Sequence, residues 1–504
     1  MKKEDQNISS SETSEKSILT LPVSLQQYNP PTPGVFPIMA IGSPEVDGYT
    51  FSLRTLELLK EVGATFVQTV LRNGAGQTEE ELIQELLDNA QKVGLRVVIR
   101  IGGTSNAFTD STNLQNWLDS RFLPLVKRFC NHEALAVWQL TDEPSTAVIP
   151  LLAEAKKQIL KEDTWKHIVY VNLHTYRGIE AVGYQWKSMH LKILEWPIKF
   201  KQHIRAFKNE FGPAVWSWSN YAAGSSLIKG NPLEGNMRVR SGHFDDLELL
   251  RRLSNMTNRP FWGYIQSIFN KPEDYKDAKL DDYLDRIASC YRLGTFVNLA
   301  FGAQGICWWK VVPYKEREDS NFIWAPIDNN GNPTPLYDIM RDILAQVRRM
   351  SYIFLNGNVV DIRFSTHHTV YEHFKNGSDA FPYGPIYSLY AVEERPDKTL
   401  HITTASEGFL VSTIVNGDRT FIVIVNVHIE ENKDPENPQG YTFPSQQGQI
   451  IFRHRVKKLA LTSSQKDQIF ELTKTVINNG KTIKVSETYN FTLKPGDWMI
   501  FQIL

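Results

Sequence analysis

Several function classes are excluded by what this sequence lacks. Cysteine is scarce, with 3 in 504 residues. The number is odd and the surroundings are apolar, so Cys130, Cys290 and Cys307 read as buried thiols rather than a disulfide framework or a metal site. No excess of one charge exists: 55 Lys and Arg stand against 56 Asp and Glu, a net charge of -1. Without a basic field to hold a phosphate backbone, nucleic acid is not expected as a partner. No apolar run approaches the length of a membrane span. The first 19 residues are rich in Ser, Glu and Lys and lack the apolar centre of a signal peptide. Residues 1–28 are therefore expected to form a disordered tail. Compartment and oligomeric state stay open, an extracytoplasmic location included if a leader has been trimmed.

What the chain does have is alternation. From about Gly34 to Met350, β-rich apolar runs and amphipathic segments take turns. The runs are Gly34–Gly42, Thr65–Leu71, Arg96–Ile101, Ala134–Thr141, His167–Leu173, Pro213–Trp218, Pro260–Gln266 and Gly305–Val311. The first two intervening helices should end at Gly63 and Gly94. Eight alternations predict a (β/α)8 TIM barrel over residues 29–350. The competing doubly wound sheet wants a Gly-rich phosphate loop after its first strand, and none is present. After about Ser351 the pattern becomes short alternating strands with turn signals. Examples are Leu410–Asn416 and Phe421–Asn426 about Gly417-Asp418, and the last residues about Pro495-Gly496-Asp497. That predicts an all-β sandwich domain over 351–504.

The fourth run, ALAVWQLTDEPS, ends in two adjacent carboxylates and a proline. Pro144 cannot donate to a ladder, so the strand should stop there. Asp142 and Glu143 are then expected at the carboxyl end of a parallel strand, where barrels place their chemistry. Other strand ends add Arg100, Gln139, Asn172, His174, Trp216, Trp218, Asn220, Tyr221, Tyr264, Gln266, Trp308, Trp309 and Lys310. Amides, indoles and carboxylates suit a neutral polyol, so the expected partner is a carbohydrate. No His and Asp cluster suits a catalytic metal, no G-x-S-x-G elbow is present, and no metal or cofactor is expected. Trp138 and Trp262, at mid-strand, read as core.

This architecture and its TDEP motif resemble the clan A glycoside hydrolases. The resemblance implies that Glu143 is the general acid/base, with Asp142 orienting it or binding a sugar hydroxyl; the bland alternative is that Glu143 caps the next helix. The strand-end positions make Arg100, Asn172, His174, Trp216, Trp218, Tyr264, Gln266, Trp308, Trp309 and Lys310 the expected substrate contacts, with Trp309 or Trp308 as the sugar platform. A lysine paired with Glu143 would lower that carboxyl's pKa, so Lys310 bears on the acid role. The departure is on the seventh strand, where Gln266 stands in place of the clan's nucleophilic Glu. Three explanations are open: a carboxylate from another loop (Asp110, Glu195, Asp245, Glu316 or Asp319), a substrate that brings its own nucleophile, or a site that binds sugar without cutting it. The expected function is hydrolysis of an oligo- or polysaccharide, with a catalytically silent carbohydrate-binding protein as the alternative. A protein-interaction role for the sandwich is a third reading.

Overall fold

The computed structural model describes residues 34–42, 52–71, 78–101, 107–174, 202–222, 243–270, 279–313, 322–364, 400–404, 408–427, 430–431, 441–442, 445–452, 455–470, 473–478, 481–486 and 488–504. The N-terminal segment 1–28 and the loop carboxylates Glu195, Glu316 and Asp319 lie outside them.

Eight parallel strands form one barrel: β1 Ile38–Gly42, β2 Phe66–Leu71, β3 Arg96–Ile101, β4 Leu135–Asp142, β5 Ile168–Asn172, β6 Trp216–Trp218, β7 Phe261–Gln266 and β8 Ile306–Trp309. Their spatial order is β5-β4-β3-β2-β1-β8-β7-β6, and a parallel bridge from Leu173 to Trp218 closes β5 onto β6. Between them run α1 Leu53–Val62, α2 Glu79–Val93, α3 Ser111–Trp117, α4 Leu123–Phe129, α5 Ile149–Glu162, α6 His243–Thr257, α7 Leu284–Ala300 and α8 Pro335–Phe354. The (β/α)8 barrel expected from the alternation is the fold. Gly63 and Gly94 end α1 and α2 in the left-handed region, at φ 107° and 72°, where a side chain is strained. α3 and α4 are joined by a π-helical turn, Leu118–Phe122.

Strand parity sorts the core into two layers. Met39, Phe66, Val98, Tyr170, Val215, Trp262, Tyr264 and Cys307 fill the barrel interior. Their strand neighbours Ile38, Val67, Ile99, Trp138, Val171, Trp216, Ile265 and Trp308 pack outward against the helices. Close approach of α7 to β7 depends on Gly263. A Cβ there would lie 2.0 Å from Asn298 Oδ1. Asn298 holds its place by donating to Tyr264 O and Gly294 O, at 3.3 and 2.7 Å. Gly263→Ala is therefore expected to destabilise the protein by about 1–3 kcal/mol through overpacking. Chemical denaturation of the variant reads this directly; an unchanged midpoint would mean that α7 shifts freely.

Behind the barrel lies a β-sandwich. Its larger sheet has the order Asn358–Phe364, Phe409–Asn416, Arg419–Asn426, Trp498–Ile503, Val456–Lys458 and Gln468–Phe470, and its smaller sheet has Leu400–Thr404, Gln446–Phe452 and Thr488–Leu493. The expected hairpin about Gly417-Asp418 is present. The two final strands are not a hairpin: the turn at Pro495-Gly496-Asp497 carries the chain from the smaller sheet to the larger. Alternation again divides the faces. Phe409, Val411, Ile422, Ile424 and Phe501 meet the second sheet, whereas Leu410, Ile414, Phe421, Val423, Val425, Trp498 and Ile500 join the core of the barrel helices.

Candidate active site

The site is built around the end of β4. Trp138 and Leu140 face the helices, so strict alternation would turn Asp142 outward as well. A register shift between Gln139 and Thr141 prevents this. Such irregularities re-aim a side chain, and Asp142 turns inward to meet two interior residues. Arg100 donates to its Oδ2 at 3.1 Å and Asn172 Nδ2 to its Oδ1 at 2.9 Å.

A directed chain of hydrogen bonds supports that contact. Ser217 Oγ donates to Asn172 Oδ1 at 2.6 Å, which leaves its oxygen to accept from the Tyr170 hydroxyl. Tyr170 in turn lies 3.3 Å from the Tyr264 hydroxyl. Burial pushes both phenols well above their usual range, so they remain neutral donors. Each donation polarises the next, and the chain ends on the Asp142 carboxylate.

Glu143 follows at φ 50°, a left-handed backbone that a glutamate rarely adopts. Its amide donates to Asn172 O at 2.8 Å, which ties the turn to β5. Non-glycine residues held in this region mark sites where the surroundings over-determine the backbone. The carboxylate does not serve as a helix cap; it lies 3.4 Å from His174 Nδ1 and is hydrogen-bonded with Ser219. Burial, helped by the charge of Asp142, raises its pKa to about 7, against smaller opposing effects of Ser219 and Arg100. Arg100 is a cation that acts on Glu143, and the net shift is nevertheless upward. Lys310 is fully buried just beyond β8, after a cis peptide.

His174 is buried and its pKa is lowered by that burial, with Asp142 and a hydrogen bond to the Glu143 backbone opposing. Behind it stands His203, whose Nδ1 is 2.9 Å from Thr146 Oγ1. Burial first, and the neighbouring His174 second, bring His203 down to about 4. Burial thus pushes both imidazoles toward the neutral form, which weakens their competition for the proton of Glu143.

On the opposite side Gln266 ends β7, in register with Trp309 of β8. Its Nε2 donates to Ile268 O at 3.0 Å, whereas its buried Oε1 has no donor among the described residues. Trp309 turns inward and packs on Tyr221, with ring centroids 5.4 Å apart. Both remain partly exposed, and together they offer an aromatic face at the barrel mouth.

Three expected contacts are corrected. Trp216, Trp218 and Trp308 are fully buried in the layer between strands and helices, not in the mouth. Trp216 packs edge-on against Phe207 and donates to Thr257 Oγ1, and Trp308 meets Tyr291 of α7 edge-on at 4.9 Å. The reason is volume. Tyr170 and Tyr264 fill the interior beside β6, so its inward position carries Ser217 and its large residues fill the gap to the helices. Asp110, a candidate second carboxylate, caps α3 by accepting from Asn113 N at 2.8 Å. Asp245 lies in α6, and its side chain falls outside the described residues.

Ser217, Ser219, Tyr170 and His203 went unnoticed in the sequence. Parity along VWSWSN places Ser217 and Ser219 on the face opposite the tryptophans, which is the available signal for the first two.

No family model and no curated protein matches the chain. Solved structures do resemble it. A GH5_18 protein from Bifidobacterium longum subsp. infantis is 11% identical, with a TM-score of 0.39 over 61% of this chain and 78% of that one. A GH5 family lichenase from Caldicellulosiruptor sp. F32 is 12% identical, with a TM-score of 0.40 over 61% and 92%. A β-galactosidase from the haloarchaeon Halorubrum lacusprofundi is 11% identical, with a TM-score of 0.42 over 61% and 58%. The strand topology itself is that of a (β/α)8 barrel, like those of the clan A glycoside hydrolases, followed by a β-sandwich.

Proposed function

We propose that the protein hydrolyses glycosidic bonds of an oligo- or polysaccharide, with Glu143 as the proton donor to the leaving oxygen. The carrying observation is a carboxyl at a barrel-strand end whose pKa is lifted to about 7 by burial beside Asp142. A general acid works best when it is still protonated near the operating pH. Asp142, clamped by Arg100 and Asn172, fixes the electrostatics of that proton, and His174 positions the carboxyl. Trp309 and Tyr221 supply a face for a sugar ring, with Arg100, Asn172, Tyr264, Gln266 and Lys310 shaping the surrounding wall. On this reading residues 29–350 are the catalytic domain and 351–504 a sandwich that braces it.

The test is turnover of a panel of aryl glycosides and polysaccharides by purified protein, followed through pH. Only the protonated form of Glu143 donates, so the rate is expected to fall as pH rises through about 7, the value its burial sets. A rate that climbs steadily from pH 6 to 9 would remove Glu143 from the acid role.

Gln266 favours a second reading, in which the site binds sugar without cutting it. Ligands that raise the melting temperature but are recovered intact after long incubation would select it.

A further inference from the structure

Proton donation is half of the reaction proposed above; the anomeric carbon also needs an electron pair from the side away from the leaving group. Among the described residues, β4 is the one barrel strand whose carboxyl end carries carboxylates. β7 offers the neutral amide of Gln266, its Nε2 held by Ile268 O and its buried Oε1 an acceptor without a donor among the described residues. Asp142 is next to Glu143 in the chain, and Asn172 of β5 holds both, donating to the Asp142 carboxylate and accepting from the Glu143 amide, so Asp142 stands on the proton donor's side of the site. Both its oxygens are engaged, by Arg100 and by Asn172. That makes Asp142 a fixed anion suited to steadying positive charge or accepting an N–H, and ill placed to attack.

A fixed anion beside the acid, with an uncharged amide at the end of β7, suits a reaction in which the attacking group belongs to the substrate. We infer that the glycoside cleaved carries a 2-acylamino group, and that its carbonyl oxygen attacks its own anomeric carbon. The inference rests on the glycosidase reading and names its substrate class. In the first step the acyl oxygen bonds to C1, the bond from C1 to the leaving oxygen breaks, and that oxygen takes the proton of Glu143. The product is a five-membered oxazolinium ion, whose positive charge and N–H require an anion and an acceptor. Asp142 supplies both. Water then adds to C1, the Glu143 carboxylate takes its proton, and the ring reopens to the acylamino sugar. One water is consumed per bond, and no oxidant or reductant is involved. Intramolecular delivery compensates for the modest nucleophilicity of an amide oxygen.

The experiment compares full-length protein on aryl 2-acetamido-2-deoxyglycosides and the matching 2-hydroxy glycosides, both anomers, in the gluco and galacto series. Expected is a kcat/KM for the acetamido substrates higher by about a hundredfold or more. Replacing acetyl by trifluoroacetyl should lower it by about tenfold or more, because fluorine withdraws the attacking electron pair. Asp142→Asn should lose activity on the acetamido substrate while keeping its melting temperature. If the 2-hydroxy glycosides are cleaved as well or better, and Glu143→Gln abolishes that cleavage, the inference fails and the glycosidase reading stands. If neither series is cleaved, both fail.

Discussion

Glu143→Gln is expected to lower kcat/KM by about 10²- to 10⁴-fold, the scale of a positioned general acid. The amide keeps the shape of the protonated carboxyl and the space beside His174 and Ser219, but has no proton to give. The loss should be smallest on substrates with a good leaving group, which need little protonation, and largest on native sugars. Stability should move the other way. A carboxyl whose folded pKa is raised from 4.5 to about 7 favours the folded state when protonated. That contribution is complete below the unfolded value and is lost as pH rises through the folded one. The glutamine stays neutral throughout. Above pH 7 the variant should therefore melt no lower than the parent, and the difference between them should shrink toward pH 5. A variant that is both inactive and much less stable would point to a structural role for Glu143 instead.

The second large effect concerns the seam between barrel and sandwich. Trp498 is 2% exposed and stacks on Phe296 of α7, with ring centroids 4.1 Å apart and planes inclined by 6°. Phe354 of α8 lies 5.7 Å away, and the indole N–H donates to Gln346 Oε1 at 3.0 Å. Beside it Arg292 pairs with Asp497 at 3.1 Å and donates to Pro495 O. Trp498→Ala removes the largest side chain from this seam and strands the Gln346 oxygen. The expected cost is about 3–5 kcal/mol, the range for truncating a buried indole. Urea denaturation with tryptophan emission and limited proteolysis together read it. Loss of under about 1 kcal/mol would mean that the sandwich docks by other contacts. Because the seam lies on the helix side of the barrel, the variant that survives should keep its substrate preference.

Much of the architecture was legible in the residues themselves. Eight apolar runs separated by amphipathic segments specify a barrel because a strand buried on both faces must be apolar throughout. Gly63 and Gly94 mark helix ends because few other residues adopt that backbone without strain. The TDEP terminus of the fourth run marked the candidate acid, and the Gly417-Asp418 turn its hairpin, since each is a property of adjacent residues. Even the amide of Gln266 at the end of the seventh run was visible.

What the residues alone did not settle was direction. Parity along β6 and β8 says that Trp216 and Trp218 share a face and that Trp309 opposes Trp308, but not which face looks inward. That depends on the volume left by Tyr170 and Tyr264, which come from strands far off in the chain. Asp142 is the sharper case: counted from Trp138 it belongs outside, and one irregularity in its pairing with β5 brings it in. The raised pKa of Glu143 has the same origin, because it arises from burial and from a neighbour that only this turn aims at it. Local sequence determined which elements form and where they stop. Packing decided which way their side chains point, because a strand has two equivalent faces until the rest of the molecule fills one of them.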